Sequence, residues 1–205
     1  MDENNRDIIT ENIDKEVKDE LSYDNENFSE NEITNGRINF AGGEPTLYKH
    51  LDELISYTSS LGIQVSIVTN GSLLTPERIR SWKNNVSCIG ISIDSVTYNT
   101  NLKIGRCCKN RTTSLLHWIE LSKTIHECNI DLKINTVVSM LNLNENLSML
   151  YQALQPKKIK LFQMHLIDGI NDQAKCYAIS QEDFATFCNH NKASVTIINI
   201  LCLRL

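Results

Sequence analysis

Residues 37–45 read Arg37-Ile38-Asn39-Phe40-Ala41-Gly42-Gly43-Glu44-Pro45, an alternating run that ends on two glycines, a carboxylate and a proline. Such a run is a strand, and the glycine pair is its exit turn. Further runs of seven to nine residues follow at 63–69, 87–93, 130–138 and 158–164, several rich in β-branched residues. Between them lie helical patterns. Leu47, Leu51, Leu54, Ile55 and Leu61 share one helical face and Gly62 supplies a stop, which predicts a helix over 47–61. Thr75-Pro76-Glu77 opens a second helix, with Thr as cap and Pro at the first helical position. Leu115, Leu116, Ile119 and Ile125 mark a third over 112–128, and segments 144–154 and 180–190 supply two more. Residues 195–200 read as a final strand, and 106 lies in a long loop. Strands alternating with helices build an α/β fold around a parallel sheet whose strands are covered on both faces.

Composition bounds the rest. The chain has 205 residues, 41% apolar and 22% charged, enough for one core. No run reaches the roughly 18 apolar residues of a membrane span, so no transmembrane segment is expected and the cytoplasm is the expected compartment. Residues 1–33 hold twelve acids against three bases, a net of −9, so the remainder carries +4. Residues 1–36 are accordingly read as an acidic, disordered leader with a short helix between Thr10 and Leu21. Basic residues are spread over strands and form no exposed stripe, so no nucleic-acid partner is expected. Seven cysteines without a CxxC pair indicate reduced thiols.

At the C-terminal edge of a parallel sheet loops carry function. Gly42-Gly43-Glu44-Pro45 can admit a ligand to the backbone while Glu44 accepts from an ammonium group; the same glycines also suit a plain βα turn. Polar groups recur at the same edge in Thr69-Asn70-Gly71-Ser72, Ser92-Ile93-Asp94-Ser95 and Ile104-Gly105-Arg106. Lys158 and Lys160 share a strand face, and Lys133 stands on the neighbouring strand. Three lysines facing into a sheet need an anion, since unpaired buried charge is costly. His50, His117 and His126 read as surface or packed residues, His165 as one at the functional edge, and Trp82 and Trp118 as core anchors.

In this order the motifs, with Leu132-Lys133-Ile134-Asn135-Thr136-Val137 and Lys158-Ile159-Lys160-Leu161-Phe162-Gln163, resemble the radical S-adenosylmethionine family and within it the viperin-like nucleotide dehydratases, over residues 37–190. The resemblance implies a (β/α) barrel, here partial, with its first βα unit missing. It spans 37–193 and is followed by a divergent apolar tail at 194–205. It implies S-adenosyl-L-methionine as cofactor, held through Gly42, Gly43, Glu44, Asn70, Ser92 and Arg106. It implies a nucleoside triphosphate as substrate, CTP above others, held through Arg37, Asn39, Lys133, Asn135, Lys158 and Lys160. The implied reaction is abstraction of the 4′ hydrogen by a 5′-deoxyadenosyl radical, then loss of water to give a 3′-deoxy-3′,4′-didehydro product used in antiviral defence. The family holds a 4Fe-4S cluster on a CxxxCxxC, and this sequence has none, so no metal ligands are assigned. Cys107 and Cys108, as neighbours, are not expected to replace them. Two further readings stay open: a non-catalytic nucleotide and S-adenosylmethionine binder, and a doubly wound ligand-binding domain.

Overall fold

In a computed structural model the described residues are 36–107, 111–164, 166 and 172–191. The leader, the tail with residues 195–200, Cys108 and His165 lie outside the described residues.

Five strands form one parallel sheet in the order β1-β2-β3-β4-β5: β1 (Arg37–Phe40), β2 (Gln64–Thr69), β3 (Val86–Ser92), β4 (Asp131–Val138) and β5 (Lys158–Gln163). All five runs anticipated from sequence are strands. Helices α1 (Leu51–Ser60), α2 (Pro76–Ser81), α3 (Tyr98–Ile104), α4 (Leu115–Glu127), α5 (Ser148–Leu154) and α6 (Gln181–His190) connect or follow them. Spatial order equals chain order. That is the winding of a barrel wall, whereas a doubly wound sheet reverses direction at a switch point. The fold is therefore a partial barrel of α/β type, and the doubly wound reading is set aside.

The helices pack on one face of this wall. Ile67, Ile89, Ile91, Ile134 and Leu161 are fully buried there against Ile55, Ile79, Leu121, Ile125 and Leu154, with Trp82 and Trp118 in the same cluster. Burying each such side chain stabilises by about 1.5–3 kcal/mol. β4 shows the consequence, alternating half-buried and buried along its whole length. Residues of the opposite face on β4 and β5 are only half-buried, so the cover expected on both faces is complete on one alone.

Element ends follow local chemistry. Thr75 caps α2 through the Arg78 amide, with Pro76 at the first position, as the sequence indicates. The single helix expected over 47–61 is split. Glu44 caps a 3₁₀ turn over Pro45–Leu47, and Tyr48 is then extended, so α1 starts only at Leu51. Likewise α5 begins at Ser148 and not at 144. Asn142 bonds the carbonyls of Asp94 and Val137 and holds the preceding segment in turns. Helix α3 lies where a loop was expected. It is short and polar, and Gly105, at φ 87°, ends it in the left-handed conformation that glycine adopts without a Cβ clash.

Candidate functional site at the sheet edge

Gly42 (φ 93°) and Gly43 (φ 45°) turn the chain out of β1, and a Cβ at either would meet nothing within 4 Å. The loop is therefore open to a ligand on its backbone side. Glu44 anchors it. One carboxylate oxygen accepts from the Thr46 amide and hydroxyl and from the Thr69 hydroxyl (2.6 Å), and the other accepts the Asn70 amide (2.8 Å). The sequence reading gave this carboxylate to a ligand ammonium alone. The structure makes it first a tie between the β1 and β2 loops, with the Asn70-bound oxygen retaining room for a further donor.

Asp94, just beyond β3, is 2% exposed and organises the next stretch. It accepts the Arg106 Nε at 2.6 Å and the Val137 amide at 2.7 Å. Gly105 reverses the chain after α3, and the Arg106 amide bonds the Asn101 carbonyl, which delivers Arg106 to Asp94. Ion pairing through Nε fixes the guanidinium and leaves its terminal nitrogens for another anion. Asn70, Ser92, Asp94, Arg106, Arg111 and Trp118 line one cleft of about 130 Å³. Trp118 is 4% exposed and its Nε1 has no acceptor. Three of the six residues assigned to the cofactor thus share a cleft, while Gly42, Gly43 and Glu44 form the adjoining loop bonded to Asn70. An arginine, a serine, an asparagine and an orphan N–H suit the carboxylate and hydroxyl groups of S-adenosylmethionine.

The residues assigned to the nucleotide lie on the polar face. Across the sheet Val68, Gly90, Lys133 and Lys158 stand in one row and Ser92, Asn135 and Lys160 in the next row toward the edge. Asn39 bonds Ser66 at 2.9 Å, one row further back, beside Cys88. Arg37 is at the far end of β1, exposed, with its guanidinium on the Gln64 side-chain oxygen at 2.8 Å, so it stands apart from the edge. Among the described residues no carboxylate pairs with Lys133, Lys158 or Lys160. Burial pushes the Lys133 ammonium below its usual value; Cys88 opposes this, and Lys160, Lys158 and Arg37 add to it. Burial in turn raises the Cys88 thiol, against the pull of Lys133. The Asn135 Oδ1 is buried without a donor.

Sequence reasoning placed Asp94 among the polar groups of the edge without giving it a role, and passed over Arg111 and the polar role of Trp118. Asp94 had a visible signal, a carboxylate straight after a strand at the functional edge. Trp118 had none, because a tryptophan on an amphipathic helix looks like core whether or not its N–H is satisfied.

The sequence model of the radical SAM superfamily matches residues 6–155. The chain belongs to that superfamily. This radical SAM chain is 38% identical over 164 residues to an S-adenosylmethionine-dependent nucleotide dehydratase of Lacinutrix mariniflava, covering 79% of the chain and 34% of that protein. It is 32% identical over 168 residues to the S-adenosylmethionine-dependent nucleotide dehydratase RSAD2 of Danio rerio, covering 77% of the chain and 46% of the relative. It thus spans about a third to a half of the length of these relatives. A domain of a pyruvate-formate lyase-activating enzyme from Bacteroides vulgatus shares the fold, with a TM-score of 0.60 at 17% identity, over 80% of this chain and 98% of that one.

Membership implies S-adenosylmethionine and a 4Fe-4S cluster. The two fare differently. The edge cleft fits the first. For the second, the sequence lacks CxxxCxxC, and among the described residues no group of three His, Cys, Asp or Glu side chains could hold a metal. The described residues of this radical SAM chain do not fit the cluster. Among the described residues no helix is long and apolar enough to cross a membrane.

Proposed function

We propose that this chain is the part of a viperin-like nucleotide dehydratase that holds S-adenosylmethionine and a nucleoside triphosphate, CTP above others, in the cytoplasm as part of antiviral defence. The observation that carries the reading is the set of three ammonium groups, Lys133, Lys158 and Lys160, on adjacent strands, with which no carboxylate among the described residues forms an ion pair. A polar wall with surplus positive charge is stabilised by a polyanion, and each charge-assisted contact contributes about 1.5–3 kcal/mol. S-Adenosylmethionine would sit at the edge, its amino-acid end by Gly43, Glu44 and Arg106 and its ribose by Asn70 and Ser92. Asn39 and Asn135 would meet the nucleotide, and Arg37 would add long-range charge.

Conversion of CTP to its 3′-deoxy-3′,4′-didehydro form would require a polypeptide that also supplies the cluster ligands. Residues 1–36 as a leader and 194–205 as a divergent tail belong to the same proposal. The lack of CxxxCxxC in the sequence, with no group of three metal-ligating side chains among the described residues, favours a second reading, in which the chain binds both small molecules without turning them over.

Calorimetry with CTP, cytidine and S-adenosylmethionine tests the shared claim. CTP is expected to bind far more tightly than cytidine, and equal affinities would overturn it. Anaerobic reconstitution with iron and sulfide separates the two readings: a stoichiometric 4Fe-4S signal would overturn the non-catalytic one, and its absence is expected of this chain alone.

A further inference from the structure

Gly90 is a glycine without a backbone reason. It lies inside β3, its φ is not in the left-handed region, and the strand continues on both sides of it. Glycine in a strand interior costs about 0.5–1 kcal/mol and marks a place where something approaches the backbone closely. Here that something is Lys133. A Cβ built on Gly90 would stand 2.8 Å from the Lys133 Cε, 3.3 Å from the Asn135 Nδ2 and 3.4 Å from a Val68 methyl. The first distance is one that real Cβ atoms do not take, while the other two call for small adjustments. Lys133 and Gly90 are direct partners in the β3–β4 register, so the lysine stem lies back across β3 over the bare backbone.

This arrangement fixes where the ammonium goes. Lys158 is the register partner of Lys133 on its other side, so a lysine upright on β4 would face a like charge. The bare strand at Gly90 gives it a path in the opposite direction, toward the middle of the polar wall, with Cys88 close enough to exchange charge interactions with it. We infer that Gly90 is a positioning residue, a backbone groove that directs Lys133 away from Lys158 and so spreads the positive charge of the polar wall for the phosphates of a nucleoside triphosphate.

The phosphate half of this inference rests on the proposed nucleotide reading; the placement of Lys133 does not. The obstructing atom is the far part of a flexible side chain, so Gly90→Ala is expected to fold with Lys133 displaced. In spectra of the protein with ¹³C-methylated lysines, the signal that Lys133→Arg removes should shift in Gly90→Ala while the others hold. An unshifted Lys133 signal would overturn the inference. CTP affinity should fall about tenfold or more in Gly90→Ala, with cytidine affinity unchanged. It should fall no further when Gly90→Ala is added to Lys133→Ala. Additive losses would mean that Gly90 serves something other than Lys133.

The failures are distinguishable. If Lys133→Ala leaves CTP binding intact, the nucleotide reading of Lys133 falls and the spectra still decide the groove. If Lys133→Ala weakens CTP and Gly90→Ala does not, the groove alone falls. Should Gly90→Ala fail to fold, the double variant with Lys133→Ala must fold, because the atom in the way is gone; a double variant that also fails would overturn the inference.

Discussion

The two faces of the sheet are made by alternate residues of the same strands and obey opposite rules. On the helix-packed face Ile67, Ile89, Ile91 and Ile134 are completely buried among apolar neighbours. On the other, Ser66, Cys88, Lys133, Asn135, Lys158 and Lys160 stand at the alternate rungs, most of them half-buried, and the Asn135 Oδ1 has no donor. One face holds the fold together, and the other carries three lysines with which no carboxylate among the described residues pairs. The lesson is a division of labour at a period of two: a step of one residue along β4, from Ile134 to Asn135, moves from the buried apolar face to the half-buried polar one.

The comparison breaks first at Ile134. Ile134→Ala on the apolar face should destabilise by about 2–5 kcal/mol, through lost burial and the cavity left behind. Chemical denaturation checks this, and a loss below 1 kcal/mol would mean that the helix layer is not the main support. Lys160→Ala on the polar face should do the reverse, leaving the denaturation midpoint in place while weakening CTP by about 1.5–3 kcal/mol and cytidine hardly at all. Calorimetric losses equal for both ligands would remove phosphate from that face.

Asp94 sits where the two faces meet the edge. Asp94→Ala frees a half-exposed Arg106 and the Val137 amide, at a cost of about 1–3 kcal/mol in stability, and should also weaken S-adenosylmethionine because Arg106 loses its anchor. Unchanged cofactor affinity with lowered stability would confine Asp94 to structure.

The smallest effect is Lys133→Met, expected to raise stability near neutral pH by under about 1 kcal/mol, since solvent screens the half-exposed ammonium. Its pH dependence has a definite sign. Burial lowers the folded-state pKa of Lys133 below its unfolded value of 10.5, so the folded protein holds fewer protons and gains stability as pH rises through that interval. The advantage of Lys133→Met should therefore shrink as pH rises toward 10.5. Thermal melts across pH would show it, and an advantage that grows would mean that Lys133 is stabilised by a partner.

Strand positions and the family resemblance were legible in the sequence itself, while strand order, which separates a barrel wall from a doubly wound sheet, was read from the structure. Period-two alternation, Gly42-Gly43 and the Thr75-Pro76 cap are local signals, and local signals act through neighbours within a few residues. The lysine placement on one face followed for the same reason. Tertiary structure decided what those residues do with one another. Only the packing of α4 leaves the Trp118 N–H without an acceptor. The tie from Glu44 to Thr69 and Asn70 and the hold of Asp94 on the Val137 amide join segments far apart in the chain. So does the passage of Lys133 over Gly90, residues 43 apart that share a rung. Such pairings depend on register and on side-chain direction across strands. A one-dimensional pattern places each residue on a face, and only the packed sheet states which partner waits there.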